Sequence, residues 1–178
     1  MNYSELLSGL PLLVTLAIAS VVDLRQRRIP NWLTLGSAVS AIVLSFTPLR
    51  IITPSDALLG LILGFSLPLI QYLLGAMGGG DVKMFATIGA WTGPAGVLWI
   101  FLVAAIVGMV IVLTQAVAQG RLRILARNSA VLTLNITHYA EVGLSHVRET
   151  GKSCKGVEKP LPYAIPALAA ALLGTIFA

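Results

Sequence analysis

Gly78-Gly79-Gly80-Asp81-Val82-Lys83-Met84 lies between two long apolar segments of this chain. A carboxylate among apolar residues is costly in a membrane unless it lies at an aqueous edge or has a partner. Two interpretations of Asp81 fit this position. In the first, it only begins a membrane helix, since Asp is a good helix cap and Gly a good loop residue. In the second, Asp81 takes part in a chemical reaction together with Asp23, which lies in the stretch 23–31.

The composition is typical of a polytopic membrane protein. Hydrophobic residues occupy 57% of the 178 positions and charged residues 11%, and the mean hydropathy is +0.90. These values predict one all-α domain, residues 1–178, whose helices pack in lipid. The net charge of +5 does not indicate nucleic acid, because the basic residues fall in short gaps between apolar runs. The single cysteine, Cys154, excludes an internal disulfide and a multi-cysteine zinc site, and we expect no cofactor.

The apolar runs predict six membrane spans. The first run ends in charges rather than a cleavage site, so we expect a retained span and not a signal peptide. The run after Gly80 is too long for one crossing, and Thr92-Gly93-Pro94 divides it. One long polar loop, 119–160, precedes the last span. The spans are about 6–22, 32–46, 56–77, 81–92, 95–118 and 161–178.

The basic residues predict the orientation. With six crossings, all of the 12 Lys and Arg residues except Arg50 lie on one side, which the positive-inside rule makes cytoplasmic. We therefore expect a multi-pass protein of the cell inner membrane with both termini outside. Five crossings would place the basic loop outside, so the charges disfavour that topology. Asp23 and Asp81 then share the cytoplasmic boundary, whereas Glu5 and Asp56 lie at the outer one.

Asp23 and Asp81 together form a candidate catalytic pair. Two carboxylates within a few ångströms share a proton. One member then activates water as a general base, while the other donates a proton to a carbonyl oxygen. That chemistry hydrolyses a peptide without a metal ion. Taken alone, Asp23 is better explained as a juxtamembrane acid paired with Arg25 or Arg27.

Three glycines and a lysine surround Asp81 in the sequence. Gly78, Gly79 and Gly80 remove side chains where an extended substrate must approach, although they also fit a simple helix breaker. Lys83 either attracts an acidic group of the substrate and favours an ionised aspartate, or anchors the helix at the cytoplasmic side. These four residues are the candidate substrate-binding set.

These stretches resemble the prepilin peptidases, or type IV leader peptidases, which are membrane aspartic peptidases of the Gly-x-Gly-Asp type. The resemblance rests on Gly-Gly-Gly-Asp-Val-Lys at 78–83, Asp-Leu-Arg at 23–25 and Ile-Pro-Asn at 29–31. Leu-Pro-Tyr at 161–163 resembles the start of the family's last span, although Ala follows where Gly is usual. The resemblance implies that Asp23 and Asp81 are catalytic. It also implies that a basic leader is cleaved from prepilins or pseudopilins at the cytoplasmic face.

Larger, bifunctional members of that family carry an N-terminal methyltransferase region. This sequence starts directly at the first span, so the resemblance implies leader cleavage without N-methylation. The compact form resembles both the peptidases of Flp-type, or tight-adherence, pilus systems and the archaeal preflagellin peptidases. Ile-Pro-Asn at 29–31 and Pro-Tyr at 162–163 favour the first. The expected partners are the pilin substrate and the lipid bilayer.

A second hypothesis is a non-catalytic membrane subunit or small transporter that uses Asp81 and Lys83 as an ion pair or ion path. A metal site is not expected, because His138 and His146 lack a matched third ligand. The stretch 121–140 fits either an interfacial helix on the anionic leaflet or a basic linker.

Overall fold

The computed structural model describes residues 3–26, 29–47, 52–137, 149–150 and 164–177. Within these ranges the chain is helical and contains no strand, so the predicted all-α fold is confirmed. The helices are α1 (Tyr3–Gln26), α2 (Asn31–Ser45), α3 (Pro54–Leu73), α4 (Gly79–Ala118), α5 (Leu122–Thr137) and α6 (Ala164–Phe177).

The starts of α3 and α4 follow from their local sequence. The Thr53 hydroxyl accepts a hydrogen bond from the Asp56 N–H at 3.2 Å, which caps α3. Pro54 takes the first position of α3, where an N–H would have no partner within the helix. Helix α4 begins after Gly78, whose extended backbone has φ −81° and ψ 150°. At the other end of α3, Gly75 has φ 78° and terminates the helix.

Helix α4 turns back on itself at Gly93. This residue has φ 71° and ψ −176°, so the helical backbone is broken there. The rings of Phe85 and Phe101 have centroids 5.4 Å apart, whereas a straight helix would separate these positions by about 24 Å. The N-terminal segment, 79–92, therefore packs antiparallel to the C-terminal segment, 94–118. The reversal lies where the sequence predicts a division between the fourth and fifth spans.

Helix α3 contacts the N-terminal segment of α4 backbone to backbone. A methyl group added at Gly60 would collide with the carbonyl oxygen of Gly89, and one at Gly89 would collide with that of Gly60. A methyl group at Gly64 would collide with the Phe85 carbonyl and lie 3.1 Å from Cγ2 of Val97. Small residues permit this close approach, which drives helix association in lipid. Since Gly60 precedes Gly64 while Gly89 follows Phe85, the two helices run antiparallel.

Helix α2 runs parallel to the N-terminal segment of α4, and hydrogen bonds join the two at successive turns. They are Lys83 Nζ to Asn31 Oδ1 at 2.8 Å, Thr87 Oγ1 to the Thr34 carbonyl at 3.0 Å, and Trp91 Nε1 to Ser37 Oγ at 2.9 Å. Polar contacts of this kind join helices in lipid, where water does not compete for them.

Helices α1 and α6 complete the bundle. The hydroxyls of Thr15 and Ser37 lie 3.1 Å apart, and the Ser20 hydroxyl donates to the Ala164 carbonyl at 3.1 Å. One end of the bundle thus contains the ends of α1 and α3 and the starts of α2, α4 and α6. We call it the Asp81 end. The largest fully buried side chains are those of Phe85, Leu16, Met84, Ile88, Val97 and Pro68.

Two helices in the described part of the chain are long and apolar enough to cross a bilayer, namely α3 and α4. The apolar helices Asn31–Ser45 and Ala164–Gly174 are shorter. The predicted count of six membrane-spanning helices is therefore not confirmed. The predicted third span, 56–77, ends instead at Leu73 because of the turn at Gly75. The predicted loop 119–160 contains the helix α5.

The contact between α3 and α4 predicts a strong effect of adding one methyl group. Gly89→Ala should destabilise the protein by about 1–3 kcal/mol, because the new Cβ overlaps the Gly60 carbonyl. Thermal unfolding of the detergent-solubilised protein, followed by tryptophan fluorescence, measures this change. The control is Gly36→Ala, where the added methyl group meets nothing within 4 Å. Equal unfolding midpoints for the two variants would contradict the described packing.

Candidate active site at the Asp81 end

Asp81 lies in the first turn of α4 and is held by the backbone that precedes it. Gly78 is the N-cap of α4, and its N–H donates a hydrogen bond to the Asp81 carboxylate. An acidic side chain three residues after the cap commonly reaches back in this way. The carboxylate is half-buried and also lies at the positive end of the helix dipole. The local sequence therefore fixes the orientation of this carboxylate at the start of α4.

Asp23 lies in the last turn of α1 and faces the same place. Its side chain is buried, with 8% of its surface exposed. Its charge acts on Asp81, so the two carboxylates lie close enough to interact electrostatically. Three residues earlier, the hydroxyl of Ser20 binds the start of α6 through the Ala164 carbonyl. The structure thus brings together the two acids that the sequence predicts as a pair.

The three glycines differ in their surroundings. Gly78 and Gly79 are exposed, while Gly80 is half-buried. A methyl group at Gly78 would lie 3.1 Å from Oδ2 of Asp81, which is tighter than ordinary contact. At Gly80 it would lie 3.4 Å from Cβ of Ile29. Gly78 and Gly79 therefore leave open surface beside the Asp81 carboxylate, whereas Gly80 packs against the Ile-Pro-Asn stretch.

Lys83 extends away from the acids and toward α2. Its Nζ donates to Oδ1 of Asn31 at 2.8 Å, and the lysine is exposed. One turn later, the buried hydroxyl of Thr87 lies within hydrogen-bonding distance of the carbonyls of Thr34, at 3.0 Å, and Lys83, at 2.9 Å. Sequence reasoning missed these links. The available signal was the spacing of Asn31, Thr34 and Ser37, three residues apart on an otherwise apolar helix.

Asp56 and Glu5 lie away from the Asp81 end. Asp56 accepts a hydrogen bond from the Thr53 hydroxyl at 2.7 Å, and a methyl group at Gly93 would lie 3.6 Å from its Cβ. Along α4, Gly93 is about 18 Å from Asp81. Glu5 is at the start of α1, about 27 Å along that helix from Asp23. Of these four acids, only Asp23 and Asp81 meet at this site.

No metal site is evident in the part of the chain that the structure describes, where no three His, Cys, Asp or Glu side chains cluster. His138, His146 and Cys154 lie outside the described residues, as does the stretch 161–163. The two aspartates by themselves are suited to exchanging protons with water and a carbonyl group.

The sequence matches one protein family and several curated proteins. A family model described as the type IV leader peptidase family matches residues 10–113, which include both aspartates. The chain is 36% identical over 113 residues to the prepilin leader peptidase/N-methyltransferase of Xanthomonas campestris pv. campestris, covering 60% of this chain and 39% of that protein. It is 29% identical over 126 residues to the protein of that name from Neisseria gonorrhoeae, covering 65% and 42%.

A third relative is the type 4 prepilin-like proteins leader peptide-processing enzyme of Escherichia coli O78:H11 (strain H10407 / ETEC). It is 29% identical over 102 residues, which cover 53% of this chain and 38% of that protein. The matches thus span 38%, 42% and 39% of the three relatives' lengths. No solved structure matches the chain.

The link between α2 and α4 predicts a measurable loss of stability on removing one hydroxyl. Thr87→Val should lower the free energy of unfolding by about 1 kcal/mol, because the buried hydrogen bond between α4 and the Thr34 carbonyl of α2 is lost. The comparison is Thr114→Val, since the exposed Thr114 hydroxyl binds only the Ile111 carbonyl of its own helix. If thermal unfolding of both variants matches that of the wild type, the inter-helix bond is not a stabilising contact.

Proposed function

Because the chain belongs to the type IV leader peptidase family, we propose that it is an aspartic endopeptidase acting on the basic leaders of prepilins or pseudopilins. The observation that carries this proposal is the electrostatic interaction between Asp23 and Asp81. Both residues lie within the matched range, and the names of the relatives describe leader processing. The scissile bond would be cleaved at the cytoplasmic face of the membrane.

In the proposed mechanism, the aspartates share one proton between them. The ionised carboxylate takes a proton from water as the water oxygen bonds to the peptide carbonyl carbon, and the protonated carboxyl gives its proton to the carbonyl oxygen. As this intermediate collapses and the C–N bond breaks, the carboxyl that took a proton from water gives it to the leaving amine. The other carboxylate takes a proton from a hydroxyl of the intermediate, so the pair again holds one proton. The Gly78 N–H, which already binds Asp81, holds that carboxylate in place during the exchange.

The substrate would approach over the glycine stretch. Gly78 and Gly79 are exposed beside Asp81, so an extended peptide backbone meets no side chain there. Gly80, packed against Ile29, holds this surface in place. An ammonium group has three donors, and Asn31 takes one of those of Lys83. We therefore assign Lys83 a further contact, to an acidic group of the pilin.

The remaining parts of the proposal concern location and scope. We infer a multi-pass protein of the cell inner membrane with both termini outside and the site at the cytoplasmic face, because the basic residues are distributed in that way. We further propose that the chain cleaves leaders without N-methylating the product. A Flp-type pilin is the proposed substrate class.

The aspartate pair predicts that two isosteric substitutions abolish cleavage. Asp23→Asn and Asp81→Asn each keep the shape of the side chain but prevent the proton exchange, so the rate should fall by at least about a hundredfold. Each purified protein is incubated in detergent with a leader-bearing Flp-type pilin, and the shortened product is detected by mass spectrometry. In a parallel incubation with S-adenosylmethionine added as a methyl donor, the product should carry no added methyl group.

The matched control is Asp56→Asn, which changes an acid that binds the cap residue Thr53 at the opposite end of the bundle. Its cleavage rate should be close to that of the wild type. Cleavage that persists in both single variants of the pair would overturn the aspartate mechanism. Such a result, with membrane insertion intact, would favour the non-catalytic subunit or transporter instead.

The glycine stretch predicts different kinetic effects at two neighbouring positions. Gly78→Ala places a methyl group 3.1 Å from Oδ2 of Asp81, so the carboxylate must shift and kcat should fall about tenfold. Gly79→Ala, whose methyl group lies 3.5 Å from Tyr72, should mainly raise KM by obstructing the substrate. Gly36→Ala provides the control. Unchanged kinetics in both variants would show that the glycines serve only to end a helix.

A further inference from the structure

A polar junction joins three helices within the apolar part of the bundle. Trp91 on α4 donates its indole N–H to the hydroxyl of Ser37 on α2 at 2.9 Å. That hydroxyl lies 3.1 Å from the hydroxyl of Thr15 on α1. Trp91 is buried, and Ser37 and Thr15 are half-buried. We call these three residues the Ser37 junction.

The hydrogen atoms of the junction can be assigned from the donors present. The indole N–H of Trp91 can only donate, so the Ser37 oxygen accepts from it. Thr15 directs its single hydroxyl hydrogen to the Pro11 carbonyl, which is 2.8 Å away. The hydroxyl hydrogen of Ser37 therefore points to the Thr15 oxygen. A continuous chain of hydrogen bonds thus runs from α4 through α2 to α1, and such chains are strengthened where water is excluded.

The junction connects the two helices that carry the aspartates. Thr15 lies about 12 Å along α1 from Asp23, and Trp91 lies about 15 Å along α4 from Asp81. Between these positions each chain is helical and contains no proline. A slide or tilt of α1 at the junction is therefore transmitted to Asp23, while α4 keeps Asp81 in place.

The apolar contacts of α1 define its height in the bundle less sharply. Packing between small apolar side chains is non-directional. Ser20 binds the Ala164 carbonyl, but this bond joins α1 to α6, which carries neither acid. A buried polar group between helices, by contrast, can fix their register. The alanines of α6 that are buried in the bundle are Ala164, Ala167, Ala170 and Ala171.

We propose that Ser37 is a positioning residue, which aligns α1 with α4 and thereby holds Asp23 against Asp81. The inference rests on the proposed function, since it concerns the same pair of acids. A displacement of about 1 Å between reacting groups is enough to slow an enzyme substantially. Hydrogen bonds between membrane helices add little stability, so the junction should affect turnover more than folding.

Two substitutions that break the chain of hydrogen bonds at different points test this role. Ser37→Ala removes the central hydroxyl, and Thr15→Val removes only the link to α1 while keeping the shape of the side chain. Each should lower kcat for a leader-bearing pilin about tenfold and change KM less than about twofold. The double variant should lose no more than either single variant. Ser37→Thr retains the hydroxyl and should restore kcat.

The matched control is Ser40→Ala on the same helix, because the exposed Ser40 hydroxyl donates to the Gly36 carbonyl of α2 itself. Its kcat should equal that of the wild type, and its unfolding midpoint should match those of the junction variants. An equal loss of kcat in Ser40→Ala would overturn the proposal. Unchanged kcat in both Ser37→Ala and Thr15→Val would also overturn it.

A distance measurement tests the alignment without any substrate. In a Cys154→Ser background, nitroxide labels are attached at Leu24→Cys and Leu73→Cys, which replace exposed side chains at the ends of α1 and α3. Helix α3 is a suitable reference because its glycine contacts fix it to α4. Electron paramagnetic resonance in nanodiscs should show that Ser37→Ala and Thr15→Val each shift or broaden the distribution of distances between the labels.

This measurement separates the positioning role from the proposed function. A loss of kcat with an unchanged distance distribution would overturn the positioning role. A changed distribution in a chain whose wild type cleaves no pilin would support the alignment of Asp23 with Asp81 and refute only the proposed function.

Discussion

The close approach of α3 and α4 at Gly60, Gly64 and Gly89 is the constraint on which the rest of the bundle depends. Helices in lipid gain little from the hydrophobic effect, so backbone contact between small residues supplies the packing. Here that contact involves backbone carbonyls on both sides, which fixes the rotation and height of the N-terminal segment of α4. Gly89 is about 12 Å along the helix from Asp81. The glycine contact two helical turns from Asp81 therefore sets the position of its carboxylate.

The neighbours of that segment then follow in order. Helix α2 is aligned with it through the Asn31–Lys83 and Thr34–Thr87 hydrogen bonds, and α1 brings a buried acid to the same end of the bundle. A buried carboxylate beside another is unfavourable for packing alone. The surrounding structure nevertheless supports it, since Gly78 donates to Asp81 and α6 covers α1 one turn below Asp23. This local cost is the physical reason to regard the pair as a site rather than as part of the scaffold.

The features of this structure that the sequence predicts are those encoded within a short stretch of residues. The all-helical fold follows from hydropathy, and the break near Gly93 follows from a glycine and a proline in succession. The sequence places Asp23 and Asp81 at the same end of the spans, but whether they meet depends on how α1 packs in the bundle. The partner of Lys83 was not predictable, because it depends on how α2 is rotated against α4. For the stretch 121–140, the sequence does not decide between an interfacial helix and a basic linker, because its apolar and basic residues alternate over short distances. The number of crossings also depends on packing, because the segment 79–92 is much shorter than α3.

That difference in length bears on how a peptide reaches the acids. Helix α3 has 20 residues and is about 30 Å long, matching the hydrocarbon thickness of a bilayer. The segment 79–92 is only about 21 Å long. The start of α3 lies level with the end of this segment, because Asp56 is beside Gly93. Asp81 is therefore recessed from the end of α3 by roughly a helical turn or more. In the proposed function, a leader would reach the acids past residues 74–80, which connect α3 to α4. Such a recess limits water around the acids, which favours keeping one of them protonated while the other is ionised.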